Sequence, residues 1–188
     1  MLLTVLGGLI IIGFFFMETR LRRGEEAKSW QAGQFDQRST MFIVLAYFVC
    51  GTALLLTSLF DKWKNTVLPT WIGWLGILIA LLGFGLRIWS MSVLGKFYTR
   101  TLKVTESQSI VHDGPYHVIR HPGYLGSILI WVGVAASTQN WIVLVIVLLA
   151  MFSAYHYRIQ NEEKMLLTTN VEYAGYHKHT WRLIPFLY

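Results

Sequence analysis

The chain has 188 residues, of which 54% are hydrophobic and only 14% are charged, and its formal net charge is +6. Soluble domains carry roughly 25% charged residues, so this composition leaves too little polar surface for a soluble fold. The basic residues fall in the gaps between apolar runs instead of forming a stripe, which argues against a nucleic-acid partner. The single cysteine, Cys50, lies inside an apolar run and excludes a disulfide framework.

Long uncharged runs occur along the chain, and a transmembrane helix needs about 20 apolar residues. The longest run, residues 123–157, would reach about 50 Å as one helix, beyond a hydrocarbon core of about 30 Å. The polar residues 138–140 therefore divide it into two spans that form a tight antiparallel hairpin. The other predicted spans are residues 1–17, 41–60 and 67–86. The predicted fold class is an all-α integral membrane protein with about five transmembrane helices, of which the fourth and fifth form the hairpin.

The third predicted span is rich in glycine, which lets a neighbouring helix approach closely. These glycines are Gly73, Gly76, Gly83 and Gly85. The first run lacks a positively charged start and a small-residue cleavage site, which favours a retained span over a signal peptide.

Orientation follows from the Lys and Arg residues in the loops, because cytoplasmic loops carry an excess of them. The first and third loops hold nine in total, the second and fourth hold two, and the tail from residue 158 holds four. This distribution predicts that the N-terminus lies outside and the C-terminus in the cytoplasm. The three basic segments then share one face of the membrane with the polar motifs described next.

Residues 108–124 form the first of two polar segments whose composition is not explained by a simple connection between membrane spans. They contain a Gly-Pro step at residue 114 and a His-Pro step at residue 121, and both are turn signals. We expect a shaped loop before the fourth span, with backbone N–H groups free to meet a ligand. The alternative is an ordinary interfacial loop with aromatic anchors.

Residues 155–163 form the second polar segment and continue the fifth span. Arg158 and Glu162 stand four apart, so they lie on one helical face together with Tyr155. The alternative interpretation is a surface ion pair at the end of a membrane helix, worth less than about 1 kcal/mol.

The order of these motifs resembles that of the isoprenylcysteine carboxyl methyltransferase family, a membrane family related to phospholipid methyltransferases. The resemblance covers about residues 91–185. Its blocks are Gly114-Pro115-Tyr116, Arg120-His121-Pro122-Gly123-Tyr124-Leu125-Gly126, Glu162-Glu163, the pair Tyr173 and Tyr176, and Thr180-Trp181-Arg182-Leu183-Ile184-Pro185. It implies N-terminal transmembrane helices in residues 1–90 and a catalytic region in residues 91–188, which contains a cytoplasmic cofactor pocket.

The resemblance also implies S-adenosylmethionine as the cofactor and assigns residues to it. Arg158 matches the arginine linked to the methyl acceptor, so it is predicted to position the acceptor carboxylate. The positions that match the family's cofactor residues are Gln108, Ser109, Ile110, Val111, Tyr116, His121, Pro122, Gly123, Tyr124 and Glu162.

The chemistry of these side chains suits the assigned roles. Tyr116 and Tyr124 can offer π faces to a sulfonium cation, and Glu162 can bind an α-amino group by a charge-assisted hydrogen bond. A C-terminal prenylcysteine carboxylate has a pKa near 3.5, so it is already ionised at neutral pH. It needs only to be positioned, and the guanidinium of Arg158 can do this by donating two hydrogen bonds to the carboxylate. The expected substrate is a lipid-modified small molecule or protein C-terminus that partitions into the membrane, and the protein is expected to be a monomer.

Other functions stay open at this point. A phospholipid (ethanolamine) N-methyltransferase is the nearest alternative, although Arg158 would repel a protonated amine. A metal-dependent oxidase would need more ligands than the pairs His117/His121 and His177/His179 supply, so no metal is expected. A small transporter or a scaffold also stays open. A transporter would place ionisable groups within its spans, whereas the longest spans here are uncharged except for Arg87 at the edge of the third. The tail, residues 181–188, either closes over the cofactor or anchors the chain at the interface.

Overall fold

The computed structural model describes residues 2–21, 33–59, 67–95, 101–102, 110–186 and 188. Within these ranges the regular structure is helical, and the two β-bridges are isolated ones. A short 3-10 helix, Gly114–His117, precedes the fourth α-helix. The α-helices are α1 (Leu2–Leu21), α2 (Ser39–Leu59), α3 (Thr70–Leu94), α4 (Pro122–Ser137), α5 (Trp141–Thr169) and α6 (Val171–His179).

The helices form a membrane-spanning bundle, which confirms the predicted fold class. Four of them, α1, α2, α3 and α5, are long and apolar enough to cross a membrane. α4 is a shorter apolar helix of 16 residues, about 24 Å long. Large apolar side chains are exposed on the outside of the bundle, where a bilayer would cover them. Examples are Leu9, Phe16, Phe48, Leu82 and Leu149.

The turn between α4 and α5 lies at residues 138–140, so the predicted break in the longest apolar run is confirmed. The Asn140 side-chain oxygen accepts hydrogen bonds from the backbone N–H groups of Ile142 and Val143, at 3.0 and 3.2 Å, and so caps α5. The backbone N–H of Leu68 donates to the carbonyl of Gln139 at 2.6 Å, which ties the start of α3 to this turn.

Two helices continue beyond the predicted apolar spans, because each predicted span stopped at the first charged residue. α1 continues to Leu21 and α3 to Leu94, so Glu18 and Arg87 both lie inside helices. There Arg87 Nη2 lies 2.7 Å from Glu18 Oε1, and both side chains are largely buried. Paired charges of this kind do not end a helix. The predicted division between residues 90 and 91 falls inside α3 and stays a prediction.

α3 and α4 touch backbone to backbone through glycine. A Cβ atom added at Gly83 would lie 2.8 Å from the carbonyl oxygen of Gly126, and one at Gly76 would lie 2.5 Å from that of Gly133. The predicted close approach is therefore confirmed for Gly76 and Gly83. It is wrong for Gly85, where an added Cβ would meet nothing within 4 Å.

α5 packs against α2 and α4 through small and branched side chains, among them Ala46, Cys50 and Val147. Within this core Trp131 stacks on Tyr47, with ring centroids 5.2 Å apart and an interplanar angle of 20°. This packing brings the C-terminal half of α5 beside the first turns of α2 and α4, where the polar residues gather.

We predict opposite effects of alanine at two glycines of α3. Gly83→Ala should lower the free energy of unfolding by about 1–3 kcal/mol, because its methyl group has to enter the contact with α4. Gly85→Ala should raise it by about 0.5–1 kcal/mol, because alanine favours the helix and nothing obstructs it. Thermal unfolding of the detergent-solubilised variants measures both. Equal midpoints for the two variants would contradict the glycine contact.

Candidate active site

Polar side chains from four parts of the chain meet where α4 begins. They come from the segment before α2, the first turn of α4, the C-terminal half of α5, and α6 with the tail. His121 precedes α4, and Pro122 forms its first turn, where a proline's missing N–H costs nothing. Arg87 Nη1 donates a 2.6 Å hydrogen bond to the carbonyl of Gly123. This bond fixes the first turn of α4 against α3.

Tyr124 links two of the predicted site residues through its hydroxyl group. The hydroxyl donates to Glu162 Oε2 at 2.7 Å and accepts from Arg158 Nε at 3.2 Å. The ring of His121 stacks on Tyr124 with centroids 5.5 Å apart, and His121 Nδ1 lies 3.7 Å from Glu162 Oε2. The structure therefore brings His121, Tyr124, Arg158 and Glu162 together, whereas their roles toward a cofactor stay predictions.

Arg158 is buried, and its guanidinium faces an acidic residue that the sequence analysis did not identify. Its Nη1 lies 2.7 Å from Asp36 Oδ1, and it also donates to the hydroxyl groups of Ser39 and Thr40 at 2.9 and 3.0 Å. The exposed fraction of both charged side chains is 3%. The alternative of a surface ion pair between Arg158 and Glu162 does not describe Arg158, whose guanidinium is buried against Asp36.

Asp36 also organises the start of α2. Its carboxylate accepts from the Thr40 hydroxyl at 2.7 Å and from the backbone N–H of Leu102 at 3.3 Å. Burial raises the pKa of Asp36, but the hydrogen bond from Thr40 and the charge of Arg158 outweigh it, so the pKa lies below the ordinary 3.8. In the sequence, Asp36 stands just before Ser39, Thr40 and the second apolar run. This pattern is typical of a helix start and could have drawn attention to Asp36.

Glu163 is the centre of a second ionic cluster that joins α5 to the loop before α4 and to the tail. Its carboxylate oxygens lie 2.9 Å from Arg120 Nε and 2.8 Å from Arg182 Nε. The ring nitrogens of His121 and His177 follow at 3.3 and 3.8 Å. Burial and the charge of Arg120 lower the pKa of His177, although the charge of Glu163 opposes this shift.

The two neighbouring glutamates therefore differ in what they can do. The exposed fraction of the Glu163 side chain is 4%, and basic groups surround it. The exposed fraction of the Glu162 side chain is 25%, and its neighbours in the site are the Tyr124 hydroxyl and the ring of His121. Glu163 thus holds the fold together, while Glu162 presents an accessible carboxylate.

The tail pairs with the loop before α4. Backbone N–H groups of Arg120 and His121 donate to the carbonyls of Trp181 and Arg182, at 2.7 and 3.1 Å, and that of Trp181 donates back to Val118 at 3.0 Å. The guanidinium of Arg182 also lies over the Tyr188 ring, 5.2 Å from its centroid. The tail therefore lies against the loop that carries His121. The sequence alone had left the position of the tail open.

The remaining predicted residues make contacts other than those of the Tyr124 hydroxyl. The Tyr116 hydroxyl donates to the carbonyl of Ser90 at 3.5 Å; burial and the charge of Glu162 raise its pKa. Ile110 packs beside Leu102 in a separate cluster. Val111 is half-buried, and Pro122 and Gly123 are buried in the first turn of α4. Gln108 and Ser109 lie outside the described residues.

The residues present fit S-adenosylmethionine. Glu162 is an accessible carboxylate for an amino group, and the aromatic rings of His121 and Tyr124 lie next to it. In addition, Asn161 Nδ2 and the Tyr173 hydroxyl are buried without a hydrogen-bond partner in the described part of the chain. Buried polar groups are normally paired, so these two atoms indicate a polar ligand or water. The described residues contain no group of three or more His, Cys, Asp or Glu side chains suited to a metal ion.

Fold and site together define a multi-pass membrane protein with a carboxylate–tyrosine–arginine site at one end of its bundle. The family model for phospholipid methyltransferases matches residues 71–170, which is more than half of the chain. The chain belongs to the phospholipid methyltransferase family. The match includes α3 from its second residue, the loop before α4, the hairpin and all of α5.

Relatives with curated names fall into two groups. The chain is 29% identical over 146 residues to the cobalt-zinc-cadmium resistance protein CzcN of Cupriavidus metallidurans, covering 77% of this chain and 62% of that one. It is 30% identical over 116 residues to the protein-S-isoprenylcysteine O-methyltransferase of Saccharomyces cerevisiae, covering 60% and 48%. The chain thus spans about half to three-fifths of the length of these relatives. The resemblance to the isoprenylcysteine group is confirmed.

A solved structure has the same fold. The eukaryotic intramembrane Ras methyltransferase ICMT (isoprenylcysteine carboxyl methyltransferase) aligns with a TM-score of 0.60 and 24% identity, over 80% of this chain and 53% of that one. This similarity supports a multi-pass integral membrane fold.

We predict that Asp36→Asn destabilises the protein at neutral pH by up to about 3–5 kcal/mol, because it leaves the buried Arg158 without its counter-charge. The depressed pKa means that ionised Asp36 stabilises the fold above pH 3.8, and that this contribution is lost as the pH falls further through the folded-state pKa. Thermal unfolding midpoints of both proteins across pH 3–7 measure the effect.

The difference between the two midpoints should shrink as the pH falls below 3.8, because protonated aspartic acid resembles asparagine. A constant difference between wild type and variant down to pH 3 would contradict an ionic role for Asp36.

Proposed function

We propose that the protein is an S-adenosylmethionine-dependent methyltransferase of the protein-S-isoprenylcysteine carboxyl O-methyltransferase type. It methylates the carboxylate of a prenylcysteine or a similar lipid-borne acceptor. The observation that carries the proposal is the Tyr124 hydroxyl, which joins the accessible carboxylate of Glu162 to the guanidinium of Arg158. Family membership and the isoprenylcysteine methyltransferase relatives support it.

Glu162 holds the α-amino group of the cofactor by a charge-assisted hydrogen bond. The rings of Tyr124 and His121 lie beside that carboxylate. A sulfonium cation there would be attracted to the π faces of the rings. When bound, the cofactor supplies an electrophilic methyl group. The enzyme needs no general base for a carboxylate acceptor, so its contribution is to orient the acceptor and exclude water.

A groove along α2 supports a lipid acceptor. It encloses about 610 Å³, and at one end it includes Asp36, the partner of Arg158. The apolar side chains of the groove recur at helical spacing on the outer, lipid-facing side of α2. The residues that line it are Asp36, Arg38, Thr40, Met41, Val44, Leu45, Phe48 and Thr101. A hydrocarbon chain can therefore enter from the bilayer and bring its polar end to the Asp36–Arg158 pair.

The buried Asp36–Arg158 pair also gives a reason to keep a second candidate function, phospholipid (ethanolamine) N-methylation. An acceptor carboxylate has to share the Arg158 guanidinium with Asp36, which is 2.7 Å away. An amine acceptor would instead meet a neutralised arginine and an ionised carboxylate at the groove. Asp36 therefore removes the repulsion that Arg158 alone would exert on a protonated amine.

Location and assembly belong to the same proposal. We place the site on the cytoplasmic side, with the N-terminus outside, because the basic residues favour that orientation. We also propose that the protein acts as a monomer. A transporter or scaffold is the non-enzymatic alternative, and absence of cofactor binding would favour it.

We predict that Glu162→Gln weakens binding of S-adenosylhomocysteine by about 1.5–3 kcal/mol, the range for a hydrogen bond to a charged group. Isothermal titration calorimetry on detergent-solubilised protein measures this change. Glu163→Gln is the matched control at the next position. It should lower the thermal unfolding midpoint strongly, because it removes the counter-charge of Arg120 and Arg182. Unchanged affinity in Glu162→Gln would remove this residue from the cofactor site.

We predict methyl transfer to prenylcysteine in an assay that also offers ethanolamine phospholipid and fatty acid. Arg158→Ala combined with Asp36→Ala should abolish this turnover and keep cofactor affinity within about twofold, because the double change removes the buried pair without leaving one charge unpaired. Transfer to ethanolamine lipid alone would favour the second candidate. Loss of cofactor affinity in the double variant would contradict the assignment of Arg158 to the acceptor.

A further inference from the structure

Two buried polar groups lie next to the proposed site without a partner. They are the side-chain amide nitrogen of Asn161 and the hydroxyl of Tyr173, and neither forms a hydrogen bond within the described chain. The exposed fractions of the two residues are 7% and 2%. A buried donor without an acceptor is unfavourable, so the pair requires an explanation.

Asn161 shares one face of α5 with Arg158 and Met165. Arg158 stands three residues earlier and Met165 four residues later, so helical spacing places all three on one side of the helix. Met165 belongs to a buried cluster with Leu102, and Ile110 packs against that cluster. Asn161 therefore lies between the charged site around Arg158 and an apolar cluster.

Tyr173 belongs to the same apolar cluster, and it differs from its neighbour Tyr176. The rings of Tyr173 and Tyr176 are 5.7 Å apart. The Tyr176 hydroxyl donates to the carbonyl of Tyr116 at 2.7 Å, whereas the Tyr173 hydroxyl has no partner in the described chain. Burial and the charges of Glu163 and Glu162 raise the pKa of Tyr173, so its hydroxyl stays protonated at neutral pH. The Tyr173 ring lies 6.1 Å from that of His177, whose Nε2 is 3.8 Å from Glu163 Oε2.

We propose that Asn161 and Tyr173 recognise the adenine edge of the cofactor. The proposal rests on the proposed function and extends its site beyond Glu162. A side-chain amide offers a donor and an acceptor side by side, which matches the N6 amino group and N7 of adenine. The apolar side chains of Leu102, Ile110 and Met165 suit the flat faces of a purine.

The chemistry of the surroundings selects adenine over the charged end of the cofactor. The amino acid end carries a cationic amino group and needs an ionised carboxylate, which Glu162 supplies. The unpaired groups, by contrast, are a neutral amide and a phenol, and they adjoin a cluster of apolar and tyrosine side chains. A neutral heteroaromatic ring with polar edges is complementary to that combination.

The test is calorimetric binding of two ligands, S-adenosylhomocysteine and S-inosylhomocysteine, to the detergent-solubilised full chain. Inosine replaces the N6 amino donor by a carbonyl acceptor. The wild type should bind the adenosyl ligand about tenfold more tightly or better, in line with the loss of one matched hydrogen bond. Asn161→Ala should bind both ligands equally, and Tyr173→Phe should lose about five- to tenfold in affinity for the adenosyl ligand.

Tyr176→Phe is the matched control. It should lower the thermal unfolding midpoint, because its hydroxyl is bonded within the protein, and it should keep the wild-type preference for adenosine. Tyr173→Phe should leave the midpoint unchanged, because its hydroxyl has no protein partner in the described chain.

The outcomes separate this inference from the proposed function. Equal binding of both ligands by the wild type, or wild-type affinity and preference in both Asn161→Ala and Tyr173→Phe, would overturn the adenine assignment alone. Absence of binding of either ligand to the wild type would overturn the proposed function and this inference with it.

Discussion

The buried guanidinium of Arg158 is the constraint on which the site depends. Removing a charged group from water is costly unless counter-charges and hydrogen bonds surround it. Asp36, Ser39 and Thr40 supply them from the start of α2, and Tyr124 contributes its hydroxyl from the first turn of α4. One side chain of α5 thereby fixes the relative positions of three helices, and it holds the accessible carboxylate of Glu162 beside an aromatic pair.

Two adjacent glutamates divide the structural and chemical work between them. Neighbouring positions on a helix point about 100° apart, so Glu162 and Glu163 face different surroundings. Glu163 faces Arg120 and Arg182 and joins the tail to the loop before α4. Its ionic cluster positions the loop that carries His121, while Glu162 keeps part of its surface open. Glu163 therefore stabilises the fold, whereas the carboxylate of Glu162 remains available to a ligand.

The sequence predicted the spans and the hairpin turn because hydropathy and a polar break at residues 138–140 are local properties. It missed the ends of α1 and α3 because Glu18 and Arg87 are 69 residues apart and compensate each other only in the folded bundle. Motif order brought Tyr124, Arg158 and Glu162 into one hypothesis. Asp36 was missed for the same reason as the helix ends, since it lies 122 residues from its partner and its local pattern indicates only a helix start.

The Glu18–Arg87 pair has a consequence for how the chain enters the membrane. A charged side chain inside a membrane helix is disfavoured by the lipid environment, and the pairing of these two residues lowers that cost. The salt bridge forms only when α1 and α3 lie side by side, and Arg87 also donates a hydrogen bond to the carbonyl of Gly123 at the start of α4. Because α3 follows α1 and α2 in the chain, the first helix acquires this stabilising contact only after the third has been synthesised.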